Sequence, residues 1–465
     1  MPYQGEFANK ASHSDIIKNP DVAAFLAECE YLREPSDEEG QAIAEMFSPT
    51  ALGDPQTLPE RIVAVDGSVH ESSIDDKLPS SKVGYIKVSA MMIMLSEFGD
   101  LRTPDRKFVD PFKVAALQRN KDSLLIVLPS ANVLKGKKSV RDSFRAVLDA
   151  YLYGENTRFV ANDPDTSLRT TLFHLASHRH GGRDTMTLTV SRCPSCSEQD
   201  VKVKDVPEPQ FCPACKNEIY PSDCLRLWEE VSDFQSSYQA LSRCMLQVEH
   251  MLPIHWARHM MKIMPNVLGD VAFFMDGPLA VFGNGAWLSR AIMSYLDTVR
   301  KKLHSLGRPD LLMIGLQKTG QVVDHVTLIE KYVPRERILP IADDYRYEHI
   351  VQRTEAKNGF GDEDYYGQDF IYKSKSGRNF VFGIPYPVAS KSGNPSFHKT
   401  FKTDMANYPN LSRALALINH FESDLYRNAV IPIALAHRYT AISLSPGGKV
   451  LDLMTRTALQ NNQRS

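Results

Sequence analysis

Two apolar runs of β character, each closing on Asp-Gly, punctuate the chain: Arg61–Ser68 (RIVAVDGS) and Val271–Phe282 (VAFFMDGPLAVF). Both are too short for a helix and read as strands buried on both faces, with Asp66 and Asp276 where a core strand empties into a turn. Val83–Leu95 predicts a long strand that pairs with Ile62–Asp66 across a polar turn containing Asp75 and Asp76. Ser123–Leu128 and Asp310–Gln317 read as further strands, the latter ending at Lys318, and Phe370–Lys373 with Phe380–Ile384 as a hairpin around Lys375–Arg378. Helical spacing covers Asp21–Leu32, Ser139–Tyr153, Ser167–His178, Trp287–Leu306 and Ser412–Tyr426. The last of these is the final helix expected; the apolar run Ile431–His437 and a strand pair, Thr440–Leu444 and Lys449–Met454, follow it. Ser36 with Glu39 forms a capping box that starts a helix running to about Phe47. The longest stripe joins Val231, Phe234, Tyr238, Leu241, Met245, Val248 and Leu252, and Pro253 ends or kinks it.

Strand, turn and strand, with an acid on the first strand, is how nucleases on the ribonuclease-H plan begin. The expectation is therefore an α/β fold: a ribonuclease-H-like mixed sheet with flanking helices. At 465 residues the chain exceeds one ordinary core. The divisions expected are a helical preface at 1–55, a main unit built from 56–96 and 225–465, and an insert at 97–224 that departs from the α/β rhythm. The preface reads as a docking arm or as simple packing.

Inside the insert, Cys193-Pro-Ser-Cys196 and Cys212-Pro-Ala-Cys215 stand fifteen residues apart. Each knuckle turns two thiolates toward one point, and the pair makes a tetrahedral four-sulfur site suited to a structural Zn²⁺, with no position left for water. Flanking β runs at Thr185–Val190 and Val201–Val206 make this a zinc ribbon, at about 185–220. Cys29, Cys224 and Cys244 read as buried thiols.

A formal net charge of −2 leaves any nucleic-acid contact to local patches such as Lys135–Arg141 and Lys373–Arg378, each readable as a solvated face or a phosphate contact. No run approaches a membrane span and the first residues lack a signal peptide's apolar core, so a cytoplasmic location is expected. No G-x-x-x-x-G-K-[ST] loop is present, which excludes a motor driving itself along DNA by this phosphate-binding device.

Carboxylates based on rigid strands and reaching solvent only at their tips suit a divalent metal; a plain Asp-Gly turn is the alternative. Glu249 falls about 60° from the centre of the long stripe, where a carboxylate is either a ligand or a snorkelling surface group. Glu230 lies nearer the stripe but far from the helix end that leads to Asp276. His174, His178 and His180 lack a carboxylate or cysteine partner nearby, which favours packing over metal binding. His437 behind its apolar run reads as a core histidine, and Lys318 either holds a phosphate or faces solvent.

The motifs IVAVDGS, FFMDGPL, GLQK and P-x-A-L-A-H-R occur in this order, and their combination resembles the NurA nucleases over residues 60–95 and 225–455. The resemblance implies a ribonuclease-H-like fold and Mn²⁺- or Mg²⁺-dependent cleavage of DNA in end processing, repair or defence. It further implies a homodimer and a HerA-type hexameric ATPase that feeds DNA past it. Carried onto this chain, it makes Asp66, Glu249, Asp276 and His437 ligands of the catalytic metal, with Lys318 a catalytic lysine. Two strand carboxylates and one from a helix edge can hold two ions about 3.5–4 Å apart, and an imidazole tilts the choice toward Mn²⁺. Members carry an aromatic residue shortly before the histidine; here that place is Ala429, with Tyr426 the nearest substitute. Two other functions stay open: a DNA-binding adaptor that kept the fold and lost the site, and an RNA-directed nuclease.

Overall fold

The computed structural model describes residues 13–29, 33–50, 58–99, 121–179, 187–352, 359–423, 428–444 and 446–464. Leu32, His180, Thr185 and Tyr426 lie outside them. A nine-stranded mixed sheet is flanked by helices. Its strands are β1 (Ser48–Pro49), β2 (Arg61–Asp75), β3 (Leu78–Met94), β4 (Lys121–Pro129), β9 (Val271–Asp276), β10 (Leu312–Gln317), β11 (Arg337–Pro340), β12 (Gly367–Lys373) and β13 (Asn379–Pro385). They lie in the order β1-β11-β12-β13-β10-β9-β2-β3-β4. Strands β5 (Thr187–Arg192), β6 (Gln199–Lys204), β7 (Gln210–Phe211) and β8 (Glu218–Ile219) form two separate hairpins around the cysteines. β9 runs parallel to β2 and to β10, and the other sheet pairings are antiparallel. The unbroken apolar runs of β9 and β10 follow from this, since central parallel strands are covered on both faces.

The β2–β3 hairpin is longer than its apolar start suggests. Ser68, Val69 and His70 keep the period of two going, and the chain turns only at Asp75–Leu78, where the Lys77 amide donates to Asp75 Oδ1 at 2.8 Å. Asp66 thus lies inside a strand, correcting the turn expected there. What ends beside Asp66 is the pairing with β9, at Val65 opposite Met275. β4 joins the same sheet at the edge of β3, and Phe144, Leu148 and Leu172 from the 97–224 segment share its core.

The long helix spans Tyr238–Ile263, so the expected stripe begins too early. Val231 closes a 3-10 turn and Phe234 is exposed, because the Ser232 hydroxyl takes the Phe234 and Gln235 amides into a turn instead. Pro253 does not end the helix. It removes the amide that would bond the Glu249 carbonyl, and packing carries the helix past it. The expected C-terminal strand pair is also corrected: Ile431–Thr440 and Gly447–Arg464 are helices, so the Leu411–Phe421 helix is not the last one. Pro432 in the first turn and the Ala-Leu-Ala that follows favour helix, and Val450, Leu451, Leu453 and Met454 fit a period of 3.6 as well as one of 2.

Adjacent residues of β2 face opposite ways. Gly67 meets Met245 and Glu249 of the long helix, whereas Ser68 and His70 bond Ile442 and Asp452 at the C-terminal helices. The sheet therefore holds the long helix on one face and the His437 helix on the other.

Candidate active site

Strand pairing makes neighbours of residues two hundred positions apart. β2 and β9 pair as far as Val65–Met275, β10 continues beside β9 to Leu316–Asp276, and Lys318 follows directly after β10. At φ +97° Gly277 then turns the chain away, a conformation an ordinary side chain would strain, so this second Asp-Gly is a turn as expected. Lys318 Nζ lies 2.6 Å from Asp276 Oδ2. From the other direction, the Ile431–Thr440 helix brings His437 Nδ1 to 3.3 Å from Asp66 Oδ2. One ligand atom from each of Asp66, Asp276 and His437 lies within 4.8 Å of the others. His437 is not a core histidine: its side chain is 51% exposed, because the helical path of 431–440 rotates it off the apolar side.

Charge at this point is unbalanced. Burial, and then the neighbouring Asp276 carboxylate, push the Asp66 carboxyl up to about 8, against the pull of Lys318. Burial, followed by Asp66 and Asp276, holds Glu249 well above the ordinary carboxylate range. Burial and Lys318 lower His437. Asp66 Oδ2 is buried with no hydrogen-bond partner among the described residues. Acids crowded in this way, one with an unpaired buried oxygen, fit a divalent cation with oxygen and imidazole ligands.

Glu249 stands next to this group without joining its three-atom cluster. It is buried on the long-helix face of β2, with its carboxylate close against Gly67. A Cβ at Gly67 would overlap Glu249 Oε1 and come within 2.6 Å of Met245 Cγ. Gly67 is therefore the glycine of a close approach, not of a turn. Gly67→Ala is expected to cost about 1–3 kcal/mol of stability by overpacking and to displace the Glu249 carboxylate; a denaturant melt matching wild type would contradict this. Glu230 is off the helix, in a 3-10 turn, 2.7 Å from Arg243. His174 and His178 pack edge-on against Tyr295.

The four cysteines form a second cluster, with all four sulfurs within 4.8 Å of one another. The two knuckles are built alike: the Cys193 and Cys212 amides donate to the Glu198 and Asn217 carbonyls, and Ser197 and Lys216 occupy matching left-handed positions. Cys193 and Cys215 sulfurs are 3.8 Å apart, and those of Cys196 and Cys212 3.7 Å. A tetrahedral ion with sulfur at about 2.3 Å requires sulfur pairs about 3.8 Å apart. The cluster could hold such an ion without rearrangement.

Ser68, Lys87 and Tyr439, which surround the base of the His437 helix, carry no spacing signal in the sequence. Among the described residues, no helix is long and apolar enough to cross a membrane.

No protein-family model matches the chain, and no curated protein does. Among solved structures, the chain is similar to the NurA nuclease from Sulfolobus solfataricus at 9% identity and a TM-score of 0.37, covering 97% of this chain and 96% of that one. It is similar to a second NurA structure at 12% identity and a TM-score of 0.28, covering 98% and 99%. Overlap this loose leaves fold and chemistry to the residues themselves.

Proposed function

We propose that this chain is a metal-dependent nuclease of the NurA kind that hydrolyses phosphodiesters in DNA. The observation that carries the reading is the meeting of Asp66, Asp276, Lys318 and His437 around a buried carboxylate oxygen that makes no hydrogen bond among the described residues. Each comes from one of the four ordered motifs. The succession β4-β3-β2-β9-β10, antiparallel and then parallel, supports a ribonuclease-H-like plan with both acids near its centre.

Oxygen donors with one imidazole suit Mn²⁺ or Mg²⁺, held by Asp66, Asp276 and His437 with Glu249 behind them. When bound, such an ion polarises a phosphoryl oxygen and makes water a competent nucleophile at neutral pH. Lys318 orients Asp276 and offsets the charge of a phosphate at the mouth of the site. His437 turns Nδ1 toward Asp66, and its exposed edge is free to move a proton to or from a reacting oxygen. For the four-cysteine centre the proposed ion is Zn²⁺, with a structural role.

The proposed partners are DNA, a second copy of the chain and a HerA-type hexameric ATPase. Exposed Val450, Leu453 and Met454 on the last helix support self-association, and exposed Ile16, Ile17, Phe25 and Leu26 support a docking role for the preface. The test is the purified protein with MnCl₂ and labelled linear duplex DNA, single-stranded DNA and RNA. Expected is cleavage of DNA that EDTA stops. Binding of DNA without cleavage would replace this reading by the adaptor, and cleavage of RNA alone by the RNA-directed nuclease.

A further inference from the structure

We propose that Lys87 is a positioning residue for His437, acting through the end of the helix that carries it; this rests on Asp66, Asp276 and His437 being a metal centre. His437 is half exposed, so its distance from Asp66 depends on where its helix is anchored. The last four carbonyls of a helix have no partner within it. Here the Ala441 amide takes the His437 carbonyl at 2.9 Å, and Lys87 Nζ donates to the Tyr439 carbonyl at 2.7 Å. The same ammonium sits 3.9 Å from the centroid of the Tyr439 ring. A cation at a helix C-terminus also answers the negative end of its dipole.

The neighbouring strands complete the clamp. Ser68, opposite Lys87 in the β2–β3 register, accepts the Ile442 amide at 3.2 Å just past the helix end. Ser123 of β4 donates to the Tyr439 hydroxyl at 3.2 Å and lies 3.0 Å from Ser89, and Ser89 stands opposite Asp66. Three adjacent strands thus fix one helix end by polar contacts. The strand that supplies Asp66 supplies one of them. Lys87 touches none of the reacting groups; it sets the register between the helix bearing the imidazole and the sheet bearing the carboxylates.

The experiment titrates Mn²⁺ into the full chain, reading the free-ion signal by electron paramagnetic resonance, for wild type, Lys87→Met, Lys87→Arg, His437→Ala and the Lys87→Met/His437→Ala pair. Loss of an outer contact to a ligand costs about 10–100-fold in metal affinity, and Lys87→Met is expected to weaken Mn²⁺ by about tenfold on that scale. Lys87→Arg should restore most of the loss, and the double variant should be no weaker than His437→Ala. Ser68→Ala reads the same clamp should Lys87→Met not fold. Wild-type affinity in Lys87→Met, or losses that multiply in the double variant, would overturn the inference. Parallel cleavage assays separate the two claims: Mn²⁺ held by wild type and loosened by Lys87→Met, with no cleavage by either, refutes the nuclease and leaves the clamp standing.

Discussion

Asp66→Asn is expected to abolish Mn²⁺-dependent cleavage of DNA while the metal-free protein melts no lower than wild type. Asparagine keeps the volume of a side chain that is 4% exposed, so the core around Ile62–Val65 is undisturbed. What it removes is a carboxyl that burial and a second carboxylate hold in its protonated form near neutral pH, with an oxygen that makes no hydrogen bond among the described residues. A carboxyl that must take up a proton on folding is a cost to the folded state at neutral pH until a cation favours its ionised form. Activity should fall by more than the roughly hundredfold associated with loss of a merely supporting contact. Mn²⁺ binding only to the folded state should stabilise wild type by about 2.7 kcal/mol at a hundredfold excess over its dissociation constant. Asp66→Asn should lose that shift, read by thermal melts with and without the ion. A variant that melts higher in Mn²⁺ and still cleaves would place the centre elsewhere.

Replacing Cys212 with serine should release the Zn²⁺ proposed for the four-cysteine cluster and unfold its hairpins locally. Cys193 and Cys212 are buried, and the short hairpins β5–β6 and β7–β8 join the main core through Leu188, Val190, Val201, Val203 and Ile219. A small lobe of this kind depends on its metal, which contributes about 10–16 kcal/mol of apparent binding free energy in zinc-finger peptides. The loss would reach the junction with the sheet. Arg145 is buried against Asp223 at 2.7 Å and the Glu218 carbonyl at 2.9 Å, and Arg169 against Asp149 and Asp205, each at 2.9 Å. Separating such partners leaves buried charge uncompensated, at about 3–5 kcal/mol for each broken pair. Elemental analysis should find one zinc per chain in wild type and none in the variant, with new protease cuts within 187–220. Retained zinc and wild-type protease resistance would refute the four-sulfur assignment.

What could be read from the sequence was what depends on neighbours along the chain. Val271–Asp276 and Leu312–Gln317 declared themselves as buried strands, the paired C-P-x-C knuckles as one site, and Ser36–Glu39 as a helix start. The failures have local causes as well. Asp66-Gly67 looks like a turn because glycine's usual reason is conformational, whereas here it makes room for Glu249 across the strand. Val450–Met454 satisfies two periods, and as a helix it sends Asp452, Thr455 and Arg456 to polar contacts with the β2–β3 hairpin. Phe234 matched the stripe although its segment is held in a serine-capped turn. The clamp of Lys87, Ser68 and Ser123 was invisible for another reason. It exists only through cross-strand register, and no spacing along one chain encodes it.

The central claim is that Asp66, Asp276 and His437 hold the catalytic ion. Its most direct test is diffraction from crystals soaked in Mn²⁺, measured on both sides of the manganese absorption edge. The strongest anomalous peak is expected between those three side chains, bonded to the Asp66 oxygen that makes no hydrogen bond among the described residues, and absent from crystals of Asp66→Asn. A protein that cleaves DNA in Mn²⁺ yet shows its manganese elsewhere, with Asp66 and Asp276 unligated, would contradict the account.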